Sequence, residues 1–310
     1  MRVSVPKLLV PLEITGAMLT SSTVAEPAAG ESAWVSAGTY TNGQMVARST
    51  THKRYMARSD HTGQTTPPES DPTRWKEIGA TAQWAMFDGL QNSRTETVTS
   101  MTVVLKPGFF NAVALYGVVG GTLTITVKDA PAGAVVATQT WSVDGPYTDE
   151  YDWCFGPPRA RNRFLLTGIL PYPDAELTVT VTAAVGAAVG IGMLAVGHLR
   201  ALILGEWGGT QYGAQVTPTS NHYVNTDEFG TTTIKRRGTS QDLRLSVILP
   251  QSDADYALSV IQEVSGVPVA VIGTEASGYA GLNVFGLVTG PVTYDGPNHA
   301  TLEASVTGLY

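Results

Sequence analysis

The chain has 310 residues, 43% of them apolar and only 15% charged, with 19 basic against 26 acidic side chains and a net charge of −7. That balance excludes a disordered, charge-dominated polymer, and the negative excess disfavours nucleic acid as a partner because phosphates would be repelled. The length suits two or three compact modules, each burying its own core.

The first thirty residues hold one apolar segment, 8–14, and then small and polar residues through Gly30, which reads as a strand and a linker, an N-terminal arm over 1–30. Pro6, Pro11 and Glu13 break the apolar run that an export signal requires, so synthesis in the cytoplasm is expected. From Trp34 to Gly79 the texture turns aromatic, polar and turn-forming, with Thr65, Thr66, Pro67 and Pro68 marking a loop, which gives a small module over 31–80. Between about Trp84 and Leu204 a period of two dominates. Thr122-Leu123-Thr124-Ile125-Thr126-Val127 and Leu177-Thr178-Val179-Thr180-Val181-Thr182 place an apolar residue at every second position, as half-buried strands with threonine outward do. Further β-rich segments at 103–105, 112–119, 135–143 and 164–170, separated by Gly, Pro, Asn and Asp, predict a jelly-roll-like antiparallel β-sandwich over 81–205.

Residues 183–197 are uncharged, but the run is too short for a membrane span and carries Gly186, Gly190, Gly192 and Gly197. After Gly205 the pattern becomes α+β, with strand-like segments at 231–234, 243–249, 267–272, 282–289 and 301–306 in a C-terminal domain over 206–310. One clear helix interrupts them. Ser252 reads as its N-cap with Asp255 completing a capping-box pattern, Tyr256, Val260, Ile261 and Val264 share one face, and Gly266 ends it. The fold class expected is therefore mainly β, with a small three-stranded aromatic module, a sandwich and an α+β domain.

No constellation in the chain specifies catalysis. Cys154 is the single cysteine, so neither an intrachain disulfide nor a cysteine metal cage can form, and the thiol is expected as a small buried hydrophobe. The five histidines, His52, His61, His198, His222 and His299, are scattered without the helical i, i+4 spacing that holds zinc. Asp149, Glu150 and Asp152, beside Tyr147, Tyr151 and Trp153, could supply two carboxylates for sugar hydrolysis or a calcium site, but such a run also reads as a solvated loop. Gly190, Gly192 and Ala195 fit a relaxed dinucleotide fingerprint, yet Gly197 and Gly205 cut short the helix it needs. No cofactor, no metal site and no enzymatic activity are expected.

The most specific signal is Trp34-x5-Tyr40-x2-Gly43-x2-Val46, then Tyr55-x-Ala57, then Trp75 and Gly79. This spacing resembles the small chitin-binding-type carbohydrate-binding module found on bacterial chitinases and on many phage tail proteins. The resemblance implies a compact three-stranded sheet and glycan contact through Trp34, Tyr40, Tyr55 and Trp75, rings that the module equally needs as core. Where family members that grip crystalline polysaccharide carry a tandem aromatic pair, this chain has Arg58, Ser59, Asp60 and His61. The wider order, from the module through Trp84-Ala85-Met86-Phe87-Asp88-Gly89 into the sandwich and through Leu204-Gly205 and Tyr212-Gly213 into the α+β part, is similar to siphophage tail-tip and baseplate proteins. That resemblance implies a structural protein of the virion tail, assembled in the host cytoplasm. Its partners would be other tail proteins, further copies of itself and a host surface polysaccharide. The alternative is a glycan-binding or glycan-hydrolysing protein carrying the same module.

Overall fold

A computed structural model describes residues 5–90, 93–145, 149–156, 161, 163–205, 207–220, 222–228, 230–235, 239–276 and 278–309. The chain is mainly β, 48% strand and 9% helical, in curled antiparallel sheets with a half-barrel or sandwich-like arrangement.

The alternating segments form a five-stranded sheet in the order Val135–Ser142, Thr122–Lys128, Glu176–Thr182, Ser100–Leu105, Leu19–Ser22. Its inward residues, among them Met101, Val103, Leu123, Ile125, Val179 and Val181, are fully buried. They meet Val113, Leu115, Phe164, Leu194 and Val196 of the facing sheet. Outward, the threonines lie side by side across the strands: Thr102 with Thr180 at 3.2 Å, Thr124 with Thr140 at 3.1 Å and Thr126 with Thr138 at 3.4 Å, hydroxyl to hydroxyl. The sequence-level assignment of one face to the core and one to hydroxyls follows directly from the two-residue period.

The facing sheet has eleven strands. Its path is Arg163–Leu166, Ala112–Tyr116, Met193–Ala201, Lys7–Pro11, Val269–Ile272, Asn283–Thr289, His299–Gly308, Thr239–Pro250 and Gly209–Thr210. The sheet thus runs without interruption from the segment before residue 205 into the segment after it. The strand Lys7–Pro11 joins the two, pairing with Met193–Ala201 on one side and Val269–Ile272 on the other. It lies inside the sheet, where the sequence suggests an arm. Leu8 enters the core under the helix and Leu9 the core on the opposite face, both essentially without exposure.

The helix spans Gln251–Glu263 and buries Ala254, Ala257, Val260 and Ile261 against the core that contains Leu243, Val247, Leu249 and Leu302. Gly266, at φ 78°, follows its end as expected. The start differs from the capping-box expectation. Pro250 holds the cap position without a side-chain hydrogen bond, and Ser252 lies inside the first turn, donating to Asp253 Oδ1 at 3.0 Å. Proline fits there because the first helical turn needs no N–H from it, and its fixed φ prepares the turn.

One further expectation is corrected. Cys154 is exposed, because it falls on a six-residue helix, Glu150–Phe155, with Tyr151 and Phe155 also at the surface. Gly190 and Gly192 sit in and beside the strand Ala188–Ile191, and the chain continues into Met193–Ala201 as another strand, with no helix to cradle a phosphate. A Cβ on Gly190 would come within 2.7 Å of the Arg94 side chain and 3.1 Å of the Thr95 carbonyl oxygen.

Candidate functional site

The small module is built on three antiparallel strands, Met45–Arg48, Lys53–Ala57 and Trp75–Ala80. Such a small sheet has little apolar area to bury, so large rings carry most of it. Tyr40, Val46, Tyr55, Ala57 and Trp75 form its core, with Trp34 half-buried against them. Trp75 meets Tyr40 edge-on at 5.0 Å and His61 edge-on at 5.0 Å. The Tyr40 hydroxyl donates to the Val35 carbonyl at 2.8 Å and accepts from the Val35 amide at 2.7 Å, tying the entry loop to the core.

The structure therefore brings Trp34, Tyr40, Tyr55 and Trp75 together, but in the interior of the module. Trp75 is 2% exposed and Tyr55 4%, which leaves neither a face for a sugar ring. Trp34 has the most surface of the four, and the Arg48 guanidinium lies over its ring at 4.7 Å, itself held by Glu69 at 2.8 and 3.2 Å. His61 takes the position of an expected platform ring and instead turns inward, its Nδ1 donating to the Ser59 carbonyl at 2.8 Å. A groove of about 480 Å³ beside Tyr55 and Trp75 is edged by Lys53, Glu69 and Glu77 and shows little more than the margins of the rings.

Two carboxylates help fix the module to the rest of the chain, Glu31, which accepts from the Ala82 amide at 3.0 Å, and Glu26. Glu26 accepts from Thr81 Oγ1 at 2.6 Å and from Trp84 Nε1 at 3.1 Å, and it pairs with His52 Nδ1 at 2.8 Å. His52 also stacks on Trp84 at 4.0 Å. This joint had no sequence signal beyond the aromatic run at 84–87, because its members are separated by up to 58 residues.

Of the acidic run, Asp149 and Glu150 are exposed at the start of the short helix, the side chains of Asp152 and Trp153 are not among those described, and Tyr147 lies outside the described residues. His198 is half-buried on Met193–Ala201, and His222 and His299 are exposed. Among the described residues no group of three His, Cys, Asp or Glu side chains could hold a metal ion, and no helix is long and apolar enough to cross a membrane.

A further exposed apolar feature is one of which the sequence marked only the strand-like segment at 231–234. Gln215–Ser220 pairs with Thr239–Pro250, and further along the same two chain segments Tyr223–Thr226 pairs with Thr232–Lys235 around a turn closed by Asp227. All eight residues of the outer pair are exposed, including Tyr223, Val224 and Ile234 at 49%, 59% and 59%. A two-stranded ribbon without a covering layer is at best marginally stable in water.

Neither a protein-family model nor a curated protein matches the sequence. One solved structure, a mutant of chitosan-binding module 1 derived from a chitosanase/glucanase of Paenibacillus sp. IK-5, is similar over 38% of this chain and 84% of its own, at 12% identity and a TM-score of 0.25. A likeness at that level assigns neither fold nor ligand.

Proposed function

We propose that this chain is a structural subunit of a bacteriophage tail tip or baseplate, catalysing no reaction and working as part of a ring or spike in the virion. The observation that carries this reading is the exposed outer ribbon of Tyr223–Thr226 and Thr232–Lys235, whose Tyr223, Val224 and Ile234 gain a dry environment only when another molecule covers them. A second copy of the chain is the occupant that explains the feature most simply, since two identical ribbons can cover one another in a self-complementary, closed contact. The domain order that resembles siphophage tail-tip proteins supports the placement in a tail.

Native mass measurement tests the reading. The protein is expected to form a discrete homo-oligomer at micromolar concentration, and Tyr223→Ser together with Val224→Ser and Ile234→Ser is expected to shift it to monomer with unchanged circular dichroism. A wild-type chain that stays monomeric and does not enter tails when co-expressed with neighbouring tail proteins overturns it.

A further inference from the structure

The rings of the small module are used up as core, but a second aromatic site lies at the open edge of the sandwich, where the two sheets part. A cleft of about 480 Å³ opens there between the strands Val135–Ser142 and Arg163–Leu166 and the loop after Val269–Ile272. Trp141, from one sheet, and Phe164, from the other, meet across it at 5.7 Å. Phe164 is buried, whereas Trp141 is only half-buried, and its indole N–H has no acceptor among the described residues.

Charge distinguishes this cleft from an ordinary sandwich edge. Arg161 is exposed on the rim with its guanidinium 5.5 Å from the Phe164 ring. Arg163 lies deeper and is positioned by two neutral acceptors, the Asn283 carbonyl at 2.8 Å and Gln241 Oε1 at 2.6 Å. Among the described residues neither guanidinium pairs with a carboxylate. Among the described residues the one acidic side chain lining the cleft, Glu275, is already matched by Lys7 at 2.8 Å and by the Thr167 hydroxyl at 3.3 Å. The cleft thus has an uncompensated positive charge within a chain of net charge −7. Guanidinium groups without a carboxylate partner gain most from an anion that accepts in their plane.

We propose that this cleft binds an anionic saccharide unit: the sugar ring stacks on Trp141, its acidic group meets Arg161 and Arg163, and its hydroxyls donate to Glu275. The aromatic face, the paired guanidinium groups and the carboxylate acceptor are the three kinds of group such a ligand needs, and the volume suits one or two sugar units rather than a polymer bundle. The acidic group could be a carboxylate, as in a uronic acid polymer, or a phosphodiester, as in a polyol phosphate polymer. Both present the same anionic chemistry to the arginines. The inference does not rest on the assembly reading, and its test reads binding rather than oligomeric mass, so either can fail alone.

Calorimetric titration of the full chain with oligogalacturonate, with poly(glycerol phosphate) and with neutral cello-oligosaccharide tests it. One of the two anionic ligands is expected to bind and the neutral one not to. Arg161→Ala, at an exposed position, is expected to weaken binding about tenfold, the loss of one charge-assisted contact, with Arg161→Lys restoring part of it. In 5-fluorotryptophan-labelled protein the resonance of Trp141, identified by its disappearance in Trp141→Phe, is expected to shift on titration while that of Trp75 stays in place. Absence of binding to either anionic ligand, equal binding of the neutral oligosaccharide, binding indifferent to Arg161→Ala, or a titration that leaves the Trp141 resonance unmoved overturns the proposal.

Discussion

Asp253 has more structural consequence than its position in a helix suggests. It is 7% exposed, yet it remains the acceptor for three donors: the amides of Leu204 and Gly205, both at 2.8 Å through Oδ2, and the Ser252 hydroxyl through Oδ1. Burial by itself would raise its pKa, but the amides of Gly205 and Leu204 and the Ser252 hydroxyl outweigh burial and hold it below the ordinary carboxylate range. Asp253→Ala removes the charged acceptor from two part-buried amide hydrogen bonds and is expected to cost roughly 1–3 kcal/mol in denaturant unfolding, with Asp253→Asn costing less because one oxygen remains. Asp71 makes the parallel case in the small module, where the Thr73 hydroxyl and then the Arg74 guanidinium hold its pKa down to about 2. A carboxyl depressed in the folded chain contributes its stability fully above its unfolded pKa of about 3.9 and loses it as pH falls through the folded value. The melting temperatures of wild type and Asp71→Asn should therefore differ above pH 4 and converge towards pH 2. Equal melting temperatures at pH 6 would remove Asp71 from the account.

At the scale of the element, the strand Lys7–Pro11 depends on a glycine across from it. A Cβ on Gly197 would lie 1.9 Å from the Val10 carbonyl oxygen, and backbone cannot yield as a flexible side chain can. Gly197→Ala is expected to displace this strand and expose Leu8 and Leu9, detectable as faster amide exchange at 7–11 and a stability loss of about 2–5 kcal/mol, the range for emptying a large core position. Unchanged exchange at 7–11 would show that the sheet tolerates the methyl. The strands Thr122–Lys128 and Glu176–Thr182 were legible because each has one buried and one wet face, and the period of two records that difference. The outer ribbon was legible only in part. The strand-like segment at 231–234 is the strand Thr232–Lys235, whereas Tyr223–Thr226 is exposed on both faces, so burial imprints no period on it, and Pro218 further obscures the strand leading to it. The aromatic spacing of the small module marked its sheet correctly but could not tell core from binding surface, because both uses call for the same rings. The Trp141 cleft was invisible for another reason: Arg161, Arg163 and Glu275 come from segments more than a hundred residues apart and converge only through the sheet.

For the whole molecule, the uninterrupted eleven-stranded sheet couples the sandwich to the helix-bearing part. Calorimetry of the full chain is expected to show these two parts melting in one transition, and a fragment ending at residue 205 should fold poorly, because Lys7–Pro11 then loses its partner Val269–Ile272. Two well-separated transitions, with a stable soluble fragment, would show the parts to be energetically independent. The same central strand also sets a timetable. Lys7–Pro11 is translated well before its neighbours Met193–Ala201 and Val269–Ile272. At about 5–20 residues per second the strand waits on the order of ten to forty seconds for the first of them. During that interval the segment Leu8-Leu9-Val10 is an unpaired apolar strand, so the nascent chain has to be shielded from self-association along this segment until its partners emerge.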